Sequence, residues 1–126
     1  MPHLTLEYSN NLTAAVDMNA LFERIHTALT EYERIKIGDI KSRAIGYDLF
    51  RVGTGSPDAV FVHLSVDILN GRPVEERKRM SQQLLALVHE AFAEIYDSQP
   101  CDITVNIREI DKETYGKKIN GHSSRQ

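Results

Sequence analysis

Apolar and polar positions alternate from the first residues of the chain: Leu4, Leu6 and Tyr8 interleave with His3, Thr5 and Glu7, the period of two expected of a half-buried strand. Ser9-Asn10-Asn11 breaks the pattern. From Asp17, a residue suited to capping a helix, the period lengthens to 3.6 through Met18, Leu21, Phe22, Ile25, Leu29 and Tyr32. A second strand is predicted from Ile40 to Val52, with Lys41, Arg43, Ile45, Tyr47 and Leu49 on one side. Gly53-Thr54-Gly55-Ser56-Pro57-Asp58 follows, and its two glycines are read as turning a hairpin. Val60, Val62, Leu64, Val66 and Ile68 then line one face of a third strand within Ala59 to Leu69, the strongest strand pattern in the chain. Pro73 suits the first turn of a second helix, Glu75 and Glu76 its positive end, and Met80, Leu84, Leu87, Val88, Ala91, Phe92 and Ile95 its apolar stripe. Ser98-Gln99-Pro100 ends that helix, and Ile103, Val105 and Ile107 alternate in a fourth strand. The polar tail from Lys112 to Gln126 reads as an arm or a frayed end.

The order strand, helix, strand occurs twice, giving two βαβ units at about 2–52 and 59–110, followed by a C-terminal arm at about 111–126. A chain of 126 residues builds one core, so a single domain over 1–126 is expected. The fold class is α/β: a four-stranded sheet with two helices on one face. Phe61 and Leu69 lie opposite the Val62 and Leu64 face, which predicts that the uncovered face meets another subunit. His63, Ser65 and Asp67 share that face and keep open the alternative of a simply polar, solvated surface.

Composition narrows the partners. The apolar runs are far shorter than a bilayer span, so no membrane partner is expected. Met1-Pro2-His3-Leu4 carries neither the basic nor the apolar region of a secretory signal, and Cys101 is the only cysteine; both suggest the cytoplasm. A net charge of −3 offers no basic field for nucleic acid. His3, His26, His63, His89 and His122 do not fall at metal-ligand spacing, and Gly53 and Gly55 lack the ending of a phosphate loop, so no metal or cofactor is expected. Cys101 has no histidine-bearing motif around it and reads as a small buried thiol. An anionic small molecule would have to be held by a few local cations.

Candidate chemistry lies at strand ends. Initiator methionine is normally trimmed before proline, which would leave Pro2 as a secondary amine at the head of the first strand. Such an amine is a general base if burial and nearby cations lower its pKa. Pro2 is equally compatible with an ordinary strand-leading proline. Arg72, in Asn70-Gly71-Arg72-Pro73 between the third strand and the second helix, can seat a carboxylate bidentately, or be a solvated arginine. Lys41 and Arg43 share one strand face and can add charge at the same mouth, or belong to the surface. His3 and His63 are ambiguous between site and structure.

Met1 to Leu12 (MPHLTLEYSNNL), Ile40-Lys41-Ser42-Arg43-Ala44, Phe61-Val62-His63-Leu64 and Asn70-Gly71-Arg72-Pro73 together resemble the 5-carboxymethyl-2-hydroxymuconate isomerase family of the tautomerase superfamily. The resemblance runs in order from Pro2 to about Glu109. It implies a homotrimer of βαβ repeats, cofactor-free isomerisation of an unsaturated 2-hydroxy or 2-keto (di)carboxylic acid in aromatic-compound catabolism, and a pocket near the amino terminus to which neighbouring subunits contribute. Pro2 would be the general base and Arg72 the carboxylate clamp. The family's second arginine falls on Lys41, a point charge without a planar fork, which leaves two outcomes: compensation by Arg43 from the same face, or a different acid. Two rivals share every element: a non-catalytic ligand-binding or assembly module, and a tautomerase of simple 2-keto acids needing a single clamp.

Overall fold

The alternation at the amino terminus becomes β1 (His3–Ser9), which sends Leu4 and Leu6 into the core and His3, Thr5 and Glu7 to the opposite side. The computed structural model describes residues 1–122. Asp17 caps α1 (Met18–Leu29), its carboxylate accepting the Ala20 amide at 3.0 Å. A 3-10 turn (Ile37–Asp39) leads into β2 (Lys41–Tyr47), and the second unit comprises β3 (Val60–Leu69), α2 (Val74–Ala91), α3 (Ala93–Ser98) and β4 (Cys101–Ile110). The sheet order is β2-β1-β3-β4. Each unit pairs its own strands in parallel, and the units meet where β1 and β3 run antiparallel, with Leu6 opposite Leu64.

The helices cover one face. Leu4, Leu6, Val60, Val62, Leu64, Val66 and Ile68 pack there against Leu21, Ile25 and Leu29 of α1 and Met80, Leu84 and Val88 of α2. Burying these side chains, at roughly 1.5–3 kcal/mol each, is the main force that closes the two units on each other. Among the described residues no helix is long and apolar enough to cross a membrane.

Several sequence expectations are corrected. β2 ends at Tyr47 rather than Val52, because β1 is its only neighbour and β1 runs out at Ser9, opposite Tyr47. Gly53 and Gly55 do take positive φ, 53° and 92°, but they do not turn a hairpin, since β1 lies between β2 and β3. Their loop instead carries the chain past β1 and is pinned by Gln99 and Asn11, which donate to the Asp58 and Ala59 carbonyls. The stripe assigned to one helix is divided at Phe92, where φ −102° and ψ 15° leave helical geometry and the ring is fully buried; the described residues therefore hold three α-helices.

The uncovered face is strongly polar. Asp67 and Arg108 form a bidentate pair across β3 and β4 at 2.6 and 3.1 Å, Tyr47 donates to Glu7, and His63 bonds Thr104 at 2.6 Å. Its apolar members include the exposed Ile45 of β2, beside Glu7, and a small aromatic group of Tyr47, Phe50 and Phe61 at one end. Cys101 is half-buried rather than fully buried, and burial, with Asp102 beside it, pushes its thiol pKa up.

Candidate active site

Pro2 is buried at the head of β1, and its carbonyl accepts the Lys41 amide at 3.1 Å. The ladder thus begins before the first regular strand residue and holds the terminus in place. Because β3 is antiparallel to β1, with His3 opposite Asp67, the end of β3 returns to Pro2. The chain then turns through Gly71, whose φ of 116° lies where glycine is favoured, into Arg72 and α2. These constraints enclose a cavity of about 290 Å3 floored by Met1, Pro2, Ile35, Ile68 and Leu69. Arg34, Arg72 and Lys112 line it, together with Asn70, and among the described residues no carboxylate does.

The Arg72 side chain is only 10 % exposed. Nη1 pairs with Glu76 at 2.7 Å, one helical turn away, and Nη2 donates to the Glu33 carbonyl. Arg72 therefore brings its charge to the cavity while tying the α1–β2 connection to the start of α2. Lys41 and Arg43 occupy the sheet face read from the sequence but do not line the cavity. Lys41 Nζ donates to the Asp39 carbonyl at 3.1 Å. Arg43 Nη2 lies 3.3 Å from His3 Nδ1.

A guanidinium can only donate, so His3 Nδ1 is the acceptor and Nε2 carries the proton toward the Tyr115 hydroxyl, 3.0 Å away. Burial, the terminal amine and Arg43 all hold the His3 pKa below its usual value, which agrees with a neutral ring. Tyr115 belongs to the C-terminal arm, as does Lys117, which pairs with Asp39 at 3.2 Å. The arm thus folds back over the amino-terminal end of the sheet; positions 123–126, where its sequence-predicted extent ends, lie outside the described residues.

The terminal amine, here on Met1, donates to the Asp39 carbonyl at 3.1 Å. Its pKa is lowered, first by burial and then by the Lys41 and Lys117 charges, with Asp39 partly opposing them. This corner of the molecule disfavours an ammonium ion. Arg34, Lys112 and Lys117 were missed by sequence reasoning. Arg34 hides in the polar stretch after α1, and the two lysines lie in a tail with no periodicity; only the turn geometry and the folded-back arm bring them to the amino terminus.

The fold is a mixed four-stranded sheet of paired βαβ units, with a buried proline heading an inner strand beside a cationic cavity, and the family model and relative that it matches make the chain an isomerase of the tautomerase superfamily. The family model for 5-carboxymethyl-2-hydroxymuconate isomerase matches residues 2–124, and the chain belongs to that family. The 5-carboxymethyl-2-hydroxymuconate Delta-isomerase of Escherichia coli is 27 % identical over 123 residues, 98 % of each chain. The crystal structure of a 5-carboxymethyl-2-hydroxymuconate isomerase from Deinococcus radiodurans R1 superposes with a TM-score of 0.87 at 28 % identity, covering 99 % of this chain and 94 % of that one. A fused 4-OT wild-type symmetric trimer shares the fold, with a TM-score of 0.64 at 19 % identity over 98 % of this chain and 97 % of that one.

Proposed function

We propose that the chain, trimmed of Met1, works as a cytoplasmic homotrimer that moves a proton along an unsaturated 2-hydroxy or 2-keto dicarboxylic acid, with Pro2 as general base. The observation that carries this reading is the shared cavity: a buried Pro2 and Arg72 face one space that no carboxylate of the described residues lines, at a terminus where burial and lysines disfavour the ammonium form of the Met1 amine. Trimming would free the Pro2 nitrogen and remove the Met1 side chain from the cavity wall. The neutral amine takes a proton from the enol oxygen or acidic carbon at one end of the conjugated system. The resulting dienolate is steadied by cationic donors, and the same proton returns to a carbon further along. Arg72 holds a substrate carboxylate with the donors not used by Glu76 and Glu33, while Lys41 and Arg43 support the site from the sheet, the Lys41 charge that lowers the Met1 amine pKa acting in the same sense on a freed Pro2 amine. The 5-carboxymethyl-2-hydroxymuconate in the relatives' names is the starting point for assays, and aromatic-compound catabolism is the proposed setting.

A second reading, tautomerisation of a simple 2-keto acid, is favoured by the engagement of Lys41 with Asp39 rather than with the cavity. One panel separates the two: unsaturated dicarboxylates and monocarboxylic 2-keto acids assayed by ultraviolet absorbance across pH. Turnover of dicarboxylates that rises with pH through an apparent pKa below about 8, the value of a free α-amino group, is expected. Turnover confined to monocarboxylates would favour the second reading, and none with either class would defeat both.

A further inference from the structure

We infer that Arg34 and Lys112 form a second carboxylate seat, so that this pocket selects dianionic acids through residues other than Lys41 and Arg43. The inference rests on the Pro2 cavity being the substrate pocket. Arg72 cannot by itself supply the charge for two carboxylates, because Glu76 already pairs with it and the Glu33 carbonyl takes another of its donors. Arg34 and Lys112 stand differently. Both line the cavity, and among the described residues neither has an ion-pair partner.

Two further observations show that these cations are placed. Arg34 has φ 69°, in the left-handed region that a long side chain seldom occupies. The turn around it is fixed from three sides: the Ile35 amide bonds the Tyr32 carbonyl at 3.2 Å, the flanking Tyr32 and Ile35 are buried, and Arg72 holds the Glu33 carbonyl. Backbone strain of this kind, held by its surroundings, is characteristic of ligand sites. Lys112 is fixed by the end of β3 and the turn after it. Its amide bonds Asn70 Oδ1 at 3.2 Å, and its Nζ lies 3.8 Å from where a Cβ on Gly71 would stand. One cation thus comes from the connection after α1 and the other from the arm, and both line the same cavity as Arg72 and the apolar Ile35, Ile68 and Leu69. An unsaturated acid with one carboxylate on Arg72 and a second on Arg34 and Lys112 matches this lining.

Adipate and hexanoate share a six-carbon chain and differ by one carboxylate, and neither can be isomerised, so their binding reads the seat independently of Pro2. Calorimetry on the full chain should show adipate bound more tightly than hexanoate. Arg34→Asn, which removes the charge while tolerating the left-handed turn, and Lys112→Gln should each weaken adipate about tenfold, the scale of one charge-assisted hydrogen bond at an open site. Hexanoate should be unaffected, and Arg34→Lys should retain most of the adipate affinity. No preference for adipate in the unmodified protein, unchanged adipate binding in the double variant, or equal losses for both acids would overturn the seat. An inactive protein that still shows the adipate pattern would instead refute the assignment of Pro2 alone.

Discussion

The place of Arg72, the proposed carboxylate clamp, beside the cavity was legible in the sequence because Arg72 falls between a strand end and a helix start. Its two fixed partners were not, since Glu33 is 39 residues away in the chain and only the packing of α1 on α2 brings its carbonyl close. Arg72→Ala should raise KM for an acid substrate about 10- to 100-fold, as hydrogen bonds to charged groups are worth about 1.5–3 kcal/mol. It should also cost about 1 kcal/mol of stability through the loosened Glu33 turn, read as a lower urea midpoint. Arg72→Lys restores charge without the planar fork and should recover stability less than binding. Unchanged kinetics in both variants would remove Arg72 from the site. Lys41 and Arg43 share the face that their spacing indicated, yet their tips turn to Asp39 and His3, a choice made by neighbours on other elements.

Among the elements, strands were easier to read than their ends. Val60 to Leu69 alternates so regularly that only the β3 assignment fits it, whereas β2 stops where β1 stops, a limit set by the pairing partner. The break at Phe92 was equally hidden, because α2 and α3 keep their apolar residues in one continuous stripe. Phe92 is fully buried at that bend, and Phe92→Ala should destabilise by about 3–5 kcal/mol, measurable as a lowered midpoint in denaturant titration. The arm provides a pH test. With the folded His3 pKa depressed, Nδ1 remains an acceptor for Arg43 above about pH 6.5, the ordinary histidine value, and takes a proton as pH falls through the lower folded value, which removes that contact while Nε2–H still donates to Tyr115. Hydrogen exchange over 111–118 should therefore change little as His3 titrates, whereas Tyr115→Phe should speed it already at neutral pH. Exchange that accelerates with His3 protonation, or that is unmoved by Tyr115→Phe, would mean that the arm is held by other contacts.

For the whole molecule, the succession of two βαβ units was visible in the periodicity, but the sheet order was not, because nothing local states that β1 and β3 are central neighbours. The uncovered sheet face was expected from the helix count, and its polar character was visible only as the weaker alternative. Asp67–Arg108 and Glu7–Tyr47 show a face whose polar groups are matched within the chain, with Tyr47, Phe50 and Phe61 as an apolar border. Such a face suits packing against further copies, and light scattering at micromolar concentration should report three times the 14.3 kDa chain mass; a monomer would contradict the proposed homotrimer. The amino terminus tests the account most directly. Two preparations differing only in a residue retained ahead of Pro2, with intact masses confirmed, should be compared by initial rate on the best unsaturated acid at one pH. An amide nitrogen has no usable lone pair, so the blocked form should be slower by about 10²- to 10⁴-fold, the usual contribution of a general base, with fold and assembly unchanged. Equal rates in the two forms would show that the proton is moved by another group and that Pro2 only begins a strand.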